Sequence, residues 1–457
     1  MFKMTYDLIV IGGGPAGYLA AERASHHNLN TLLIEKRFIG GVCLNEGCIP
    51  SKALLYSAKI YDNAKHGVKY GVTCGDISFD HKVVIARKNK VVKTLVMGIK
   101  AQLKNNGVTI IEGVATITGK DSEGYIVKVN DVEYSTNRLL IATGSMPVIP
   151  PITGLKEGIE KGNILTNREI LNIEEIPKTL VIIGGGVIGL EMASYFTSAG
   201  SKVTVIEMLD HIAGNTDKEI SEILMKNYQK KGVEFKLSSK VIEVKEGRVV
   251  FEAGGEQFTV EADKILASIG RRPVTEGLGL EKIGVELDRG RIKVDERGKT
   301  NIPEVYAAGD VNGVSMLAHT AYREAEVCIN NIIGKKDVMR YDAIASVIYT
   351  NPEVGCVGET EESAKQKGID YEVSNISMRY SGRYLAENDG GNGICKVLID
   401  KKYNKLIGVH MIANYASEVI FSAAMMIEIE MKIEDIKELV FPHPTVGEII
   451  REGIFQL

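Results

Sequence analysis

Apolar runs of strand length, each closed by glycines, punctuate the chain and set its plan. Tyr6-Asp7-Leu8-Ile9-Val10-Ile11 ends at Gly12-Gly13-Gly14-Pro15-Ala16-Gly17. A helical pattern spans Tyr18 to Ala24, and a second run, Thr31-Leu32-Leu33-Ile34, ends on Glu35. Short apolar runs bounded by turn residues predict buried strands. The order strand, glycine-rich turn, helix, strand, acid is that of a dinucleotide-binding unit. In such a unit the first glycine, Gly12, makes the tight turn and the second, Gly14, lets backbone approach a pyrophosphate. The third, Gly17, lets helix and strand pack closely, and Glu35 hydrogen-bonds a ribose hydroxyl. The unit recurs as Thr179-Leu180-Val181-Ile182-Ile183, then Gly184, Gly186 and Gly189, then Lys202-Val203-Thr204-Val205-Ile206-Glu207. First glycine and acid are equally spaced in both copies, 35 − 12 = 23 and 207 − 184 = 23. Two bound dinucleotides are expected.

Between the copies, apolar positions at helical spacing over 79–106 (Val83, Val84, Val91, Val92, Leu95, Ile99, Leu103) predict an amphipathic helix with a solvated basic face. Short β runs at 109–112 and 125–129 lead to 139–145, and Pro147, Pro150 and Pro151 mark a boundary. Buried strands are expected at 264–270 and 305–308. Beyond Asp342, short strands at 346–350, 394–399 and 406–411 surround a helical segment, 416–431. That predicts an α+β domain with an antiparallel sheet, its helix a candidate dimer contact.

Composition narrows the classes. The chain has 457 residues, 44% hydrophobic and 25% charged, enough for several cores. A net charge of -4 without a basic block argues against nucleic acid or an anionic membrane surface. No apolar run reaches the ~20 residues of a membrane helix. Met1-Phe2-Lys3-Met4 leads straight into the first strand without a signal-peptide core, so a cytoplasmic location is expected. Six cysteines are too sparse for a secreted disulfide framework.

The candidate chemistry gathers in Gly40-Gly41-Val42-Cys43-Leu44-Asn45-Glu46-Gly47-Cys48-Ile49-Pro50-Ser51-Lys52. Its two cysteines stand 48 − 43 = 5 positions apart in a Gly-flanked turn before a helix. No further Cys or His lies nearby at zinc-ligand spacing, so no metal is expected, and a redox pair is. Following the first unit at once, the pair places a flavin there. No Arg or Lys lies between Glu207 and Lys218 to neutralise a 2′-phosphate, so the second unit is expected to take NAD. Cys48, opening a helix, would have its thiolate stabilised by the positive helix end. Cys74, Cys328, Cys356 and Cys395 are read as ordinary buried thiols. His443, between Pro442 and Pro444, has Glu448 five positions on to hold one ring nitrogen.

These stretches, with Ala142-Thr143-Gly144, Ala308-Gly309-Asp310, Tyr349-Thr350-Asn351-Pro352-Glu353 and His443-Pro444-Thr445, resemble the flavin-dependent pyridine nucleotide–disulfide oxidoreductase family over nearly the whole length. The wording Cys-Leu-Asn-x-Gly-Cys-Ile-Pro-Ser-Lys is similar to its lipoamide branch. The resemblance implies an α/β protein with two Rossmann-like dinucleotide-binding domains, for FAD and NAD, and a C-terminal α+β dimerisation domain. Boundaries are expected at 1–149 (FAD, with the Cys pair), 150–270 (NAD), 271–341 (completing the FAD domain) and 342–457 (dimerisation). It implies that Cys43 exchanges with substrate, that Cys48 faces the flavin, and that His443 and Glu448 serve the Cys pair of the other subunit. Flavin contacts fall on Gly12, Gly14, Gly17, Glu35, Lys52, Gly144, Asp310 and Ala318, with Glu191 a partner in the Lys52 network. NAD contacts fall on Gly184, Gly186, Gly189, Glu207 and Gly270. The activity implied is NAD-dependent oxidation of protein-bound dihydrolipoyl groups carried by an acyltransferase or glycine cleavage carrier protein. Reduction of another disulfide by NADH is the alternative.

Overall fold

The structure, a computed structural model, describes residues 4–457. Its first sheet starts with β1 (Leu8–Ile11), buried at every position as befits a parallel strand covered on both faces. Helix α1 (Pro15–His26) follows, with Pro at its start, where a fixed φ and a missing N–H cost nothing. It buries a face of small residues, Ala16, Gly17, Ala20, Ala21 and Ala24. β2 (Thr31–Glu35) pairs parallel with β1, Ile11 opposite Ile34. Next come α2 (Gly41–Glu46), α3 (Cys48–Lys65), α4 (His81–Asn105) and β3 (Thr109–Glu112). An antiparallel meander of β4 (Thr116–Asp121), β5 (Gly124–Val129) and β6 (Val132–Thr136) precedes β7 (Leu139–Ile141), which returns to pair with β1.

The second unit repeats this order. It has an edge strand β8 (Ile164–Leu165), then β9 (Thr179–Ile183), α5 (Val187–Ser198), β10 (Lys202–Ile206), α6 (Lys218–Lys230) and β11 (Glu234–Lys236). A second meander, β12 (Lys240–Lys245), β13 (Arg248–Ala253) and β14 (Glu256–Glu261), leads to β15 (Lys264–Ala267). Spatial order is β8-β15-β9-β10-β11. The chain then supplies β16 (Val305–Ala307), so the first sheet reads β16-β7-β1-β2-β3. Helix α7 (Ala318–Ile332) packs Ala321, Ala325 and Ile329 into the core that holds Ala20 and Ala24 of α1.

The last sheet is antiparallel: β17 (Ser346–Ile348), β18 (Glu353–Gly358), β19 (Tyr371–Ser377), β20 (Ile394–Asp400) and β21 (Lys405–Ala413), ordered β17-β18-β21-β20-β19. Helix α8 (Ala416–Glu428) covers one face through Ile420 and Ala423, and α9 (Ile449–Ile454) joins the same core. The chain forms two compact units. One comprises Met1–Ala53, Ile85–Val148 and Gly270–Arg340; the other comprises Leu54–Val84, Ile149–Ile269 and Tyr341–Leu457. Among the described residues no helix is long and apolar enough to cross a membrane.

Candidate functional site

The two glycine turns share one geometry. Gly12 has φ +108°, and a Cβ there would meet Ala142 O at 2.2 Å; Gly184 has φ +105° and would meet Ser268 O at 2.5 Å. Only glycine fits either place. A Cβ on Gly17 would stand 1.7 Å from Gly12 O, and one on Gly189 2.3 Å from Gly184 O, so each helix presses on its own turn. Gly14 and Gly186, by contrast, face open space, with nothing nearer than 3.8 Å at Gly14 and nothing within 4 Å at Gly186. Glu35 accepts from the Gly13 and Arg37 amides, both at 2.7 Å. Glu207 accepts from the amides of Gly185 (2.6 Å) and Leu209 (2.8 Å). Each carboxylate is thus fixed at the mouth of its turn, with lone pairs to spare for ribose hydroxyls.

After Glu35 the backbone doubles back. Gly40 N–H donates to Gly13 O at 2.8 Å, and a Cβ on Gly41 would lie 2.6 Å from Gly14 Cα. The redox stretch is therefore fastened to the first turn. Cys43 stands inside α2, a short helix where the sequence predicted a turn. Asn45 makes the difference: its amide donates to Ile39 O (3.1 Å) and Gly41 O (2.9 Å), closing the loop into a helical turn. Arg37 adds an ion pair to Glu46 at 2.7 Å. Cys48 opens α3, and Lys52 lies one turn further along it. Both thiols are half-buried and unbridged, with the Cys43 and Cys48 sulfurs in hydrogen-bond contact. That hydrogen bond, then burial, push the Cys43 thiol far above the usual range, while Lys52 pulls it down. Cys43 is therefore the thiol that holds its proton.

Asp310 follows β16 and accepts from Ser145 Oγ at 2.5 Å. Arg271 Nε donates to the same Oγ at 2.8 Å, and its Nη2 to Ser145 O at 2.8 Å. Gly144 (φ +71°) and Gly270 (φ +107°) have nothing within 4 Å of a built Cβ, and Ala318 opens α7 with its amide at the helix start. Glu191 is 4% exposed and accepts from Tyr349 N–H at 3.2 Å.

His443 Nδ1 is bonded to Glu448 Oε2 at 2.8 Å; the histidine side chain is 77% exposed and the glutamate 11%. Thr445 sets the loop between them, its hydroxyl donating to Pro442 O (2.9 Å) and accepting from Glu448 N–H (3.2 Å). This pair belongs to one compact unit and the Cys pair to the other.

Sequence reasoning gave no individual role to Arg37, Asn45, Ser145, Arg271 or Thr445, each of which orients a candidate site residue. Their common signal was a polar side chain within four positions of one already singled out. One thiol reading is corrected: Cys328, Cys356 and Cys395 are buried, but Cys74, in the loop before α4, is exposed. No cluster of His, Cys, Asp or Glu among the described residues is able to hold a metal.

The open ground at Gly14, Gly186, Gly144 and Gly270, with a fixed carboxylate at each turn, fits two dinucleotides. Residues 6–325 match the pyridine nucleotide-disulphide oxidoreductase family, and residues 344–454 that family's dimerisation domain. The chain is 40% identical to the mitochondrial dihydrolipoyl dehydrogenase of Pisum sativum, over 98% of this chain and 90% of that protein. It is 38% identical to the dihydrolipoyl dehydrogenase of Mycoplasma genitalium, over 98% of both. Among solved structures, LpdA from Mycobacterium tuberculosis superposes with a TM-score of 0.90 at 26% identity, covering 99% of each chain.

Proposed function

Because the chain belongs to the pyridine nucleotide-disulphide oxidoreductase family, we propose that it oxidises protein-bound dihydrolipoyl groups to the lipoyl disulfide and delivers the electrons to NAD. It is an oxidoreductase whose cofactors are FAD and NAD, and it forms a homodimer. The observation that carries the reading is the Cys43–Cys48 contact on a loop fastened to the first dinucleotide turn.

In the oxidised enzyme the two sulfurs form a disulfide. Glu448 holds Nδ1 of His443, leaving Nε2 to take a proton from a dihydrolipoyl thiol. Only the resulting thiolate attacks a disulfide, and it attacks Cys43. The Cys43–Cys48 bond breaks, and Cys48 leaves as thiolate. The second dihydrolipoyl sulfur then displaces Cys43, so one lipoyl disulfide forms as one protein disulfide is reduced. The bound flavin supplies two-electron transfer between Cys48 and the nicotinamide. Lys52, on the Cys48 helix, contributes the cation beside that anionic sulfur.

His443 is assigned to the Cys pair of the partner copy, which fits a histidine left 77% exposed on its own chain. A stripe on α8 and its end, Phe421 (63%), Met425 (49%) and Ile429 (68%), is exposed at four-residue spacing and is assigned to the same contact. The lipoyl group is taken to arrive on an acyltransferase or glycine cleavage carrier protein, and the setting to be cytoplasmic. Steady-state kinetics with dihydrolipoamide and either NAD or NADP test the reading. Turnover with NAD, lost in Cys43→Ser and reduced ~10²–10⁴-fold in His443→Gln, is expected. Faster NADH-dependent reduction of a different disulfide would overturn it in favour of the alternative.

A further inference from the structure

Tyr18 and Tyr322 form a hydroxyl pair that neither the glycine turn nor the redox exchange requires. Tyr18 sits one turn into α1 and Tyr322 one turn into α7. Their hydroxyls are 2.5 Å apart, with ring centroids at 5.9 Å in an edge arrangement. The start of α1 abuts the start of α2, because a Cβ on Gly41 would lie 2.6 Å from Gly14 Cα and 3.8 Å from Pro15 Cδ. Cys43 is two residues beyond that contact. The four groups form one cluster, since the Cys43 and Cys48 thiols both act electrostatically on both phenols.

Proton counting gives the pair a direction. Two hydroxyls carry two protons, and the bond between them uses one, so one donor remains for an acceptor outside the pair. Burial raises both phenols above their ordinary range, and charge on either cysteine raises them further. Both phenols therefore stay protonated at working pH. When a two-electron reductant opens the Cys43–Cys48 disulfide, one proton goes to Cys43 and the other sulfur is left anionic.

We propose that the Tyr18–Tyr322 pair donates a hydrogen bond to the anionic sulfur of the opened redox pair and thereby holds it as a thiolate. Both tyrosines are then positioning residues for the exchange, and the proposal rests on the redox reading of Cys43 and Cys48. The competing role is plain packing of α1 on α7. Phenylalanine separates the two, because it keeps the ring and removes only the hydroxyl.

The test uses full-length holoenzyme reduced with dithiothreitol, desalted, and alkylated with iodoacetamide across pH, with Cys43 and Cys48 adducts read by peptide mass spectrometry. Tyr322→Phe and Tyr18→Phe are each expected to raise the alkylation midpoint of the pair by ~0.5–1 pH unit, and the double variant by no more than either single, since the hydroxyls act together. Midpoints within ~0.2 unit of wild type in variants of unchanged flavin content would overturn the proposal and leave packing as the role. Should Tyr18→Phe fail to fold, Tyr322→Phe decides alone, being placed on the other helix. Dihydrolipoamide turnover is measured on the same wild-type preparation. A midpoint shift without any turnover sinks the substrate assignment and keeps the tyrosine role; turnover without a shift does the reverse.

Discussion

The two dinucleotide units are the same construction used twice, and they part company beyond the loop that follows the acid. Sheet order, glycine turn, buried helix, carboxylate with two captured amides and three-stranded meander all recur. Beyond Glu35 the chain turns back onto its own glycines through Gly40 and Gly13, and sets a six-residue helix with Cys43 there. Beyond Glu207, Met208 (66%) and Leu209 (45%) are exposed, but Ile212 and Ala213 are buried and Ala213 N–H donates to Gly185 O at 2.9 Å, the same return onto the turn, before α6 begins. Asp217 caps α6 and is paired at 2.9 Å with Lys396 of β20, a lysine side chain only 6% exposed. The tether is thus common to both copies, and the difference lies in what it holds: a short helix carrying a thiol in one, the approach to a helix anchored by a buried lysine in the other. In this chain the reactive sulfur occupies the segment after the second strand of one copy only.

The sharpest way to break that contrast is Cys48→Ser. It should cut dihydrolipoamide turnover by more than ~10³-fold while leaving the NAD unit able to bind, as read by NAD fluorescence quenching. The anchor of the second unit comes next. Lys396→Ala strands Asp217, 1% exposed, as a buried unpaired charge and should cost about 3–5 kcal/mol in urea unfolding. Gly189→Ala drives a methyl to within 2.3 Å of Gly184 O, for about 1–3 kcal/mol. Gly186→Ala meets nothing within 4 Å, so stability should stay within ~0.5 kcal/mol while KM for NAD rises. An equal melting-temperature loss in both glycine variants would remove the distinction between packing glycine and binding glycine. Smallest is Arg37→Ala. Its ion pair to Glu46 joins a 41% exposed side chain to an 11% exposed one and is worth ~1 kcal/mol or less.

Much of this was legible in the sequence because it is local. Thr109–Glu112 and Thr179–Ile183 are strands at the bounds their apolar runs gave, and α4 occupies 81–105 of the 79–106 predicted. The long last helix stops at Glu428, short of Met431, where Glu430 takes a positive φ of 55°. The sheet's fifth strand in the first unit comes from Val305–Ala307, about 160 residues after its neighbour β7. No periodicity contains such a pairing. Arg271 and Ser145 went unread for the same reason, since their meeting depends on strands Ser145–Pro147 and Arg271–Pro273 pairing antiparallel. Asn45 was within view but mute, because an asparagine bonding two carbonyls is decided by a loop conformation, not by spacing.

Cys74 carries a practical consequence. A surface thiol outside both dinucleotide units is open to any sulfhydryl reagent, so colour-based thiol titres of the folded, reduced enzyme read one equivalent above the redox pair per chain. On storage in air it also offers a route to covalently joined chains, which a non-reducing gel would score as a dimer irrespective of the native contact. A Cys74→Ser background removes both artefacts, and leaves Cys43 and Cys48 as the thiols that are not buried in the folded, reduced enzyme.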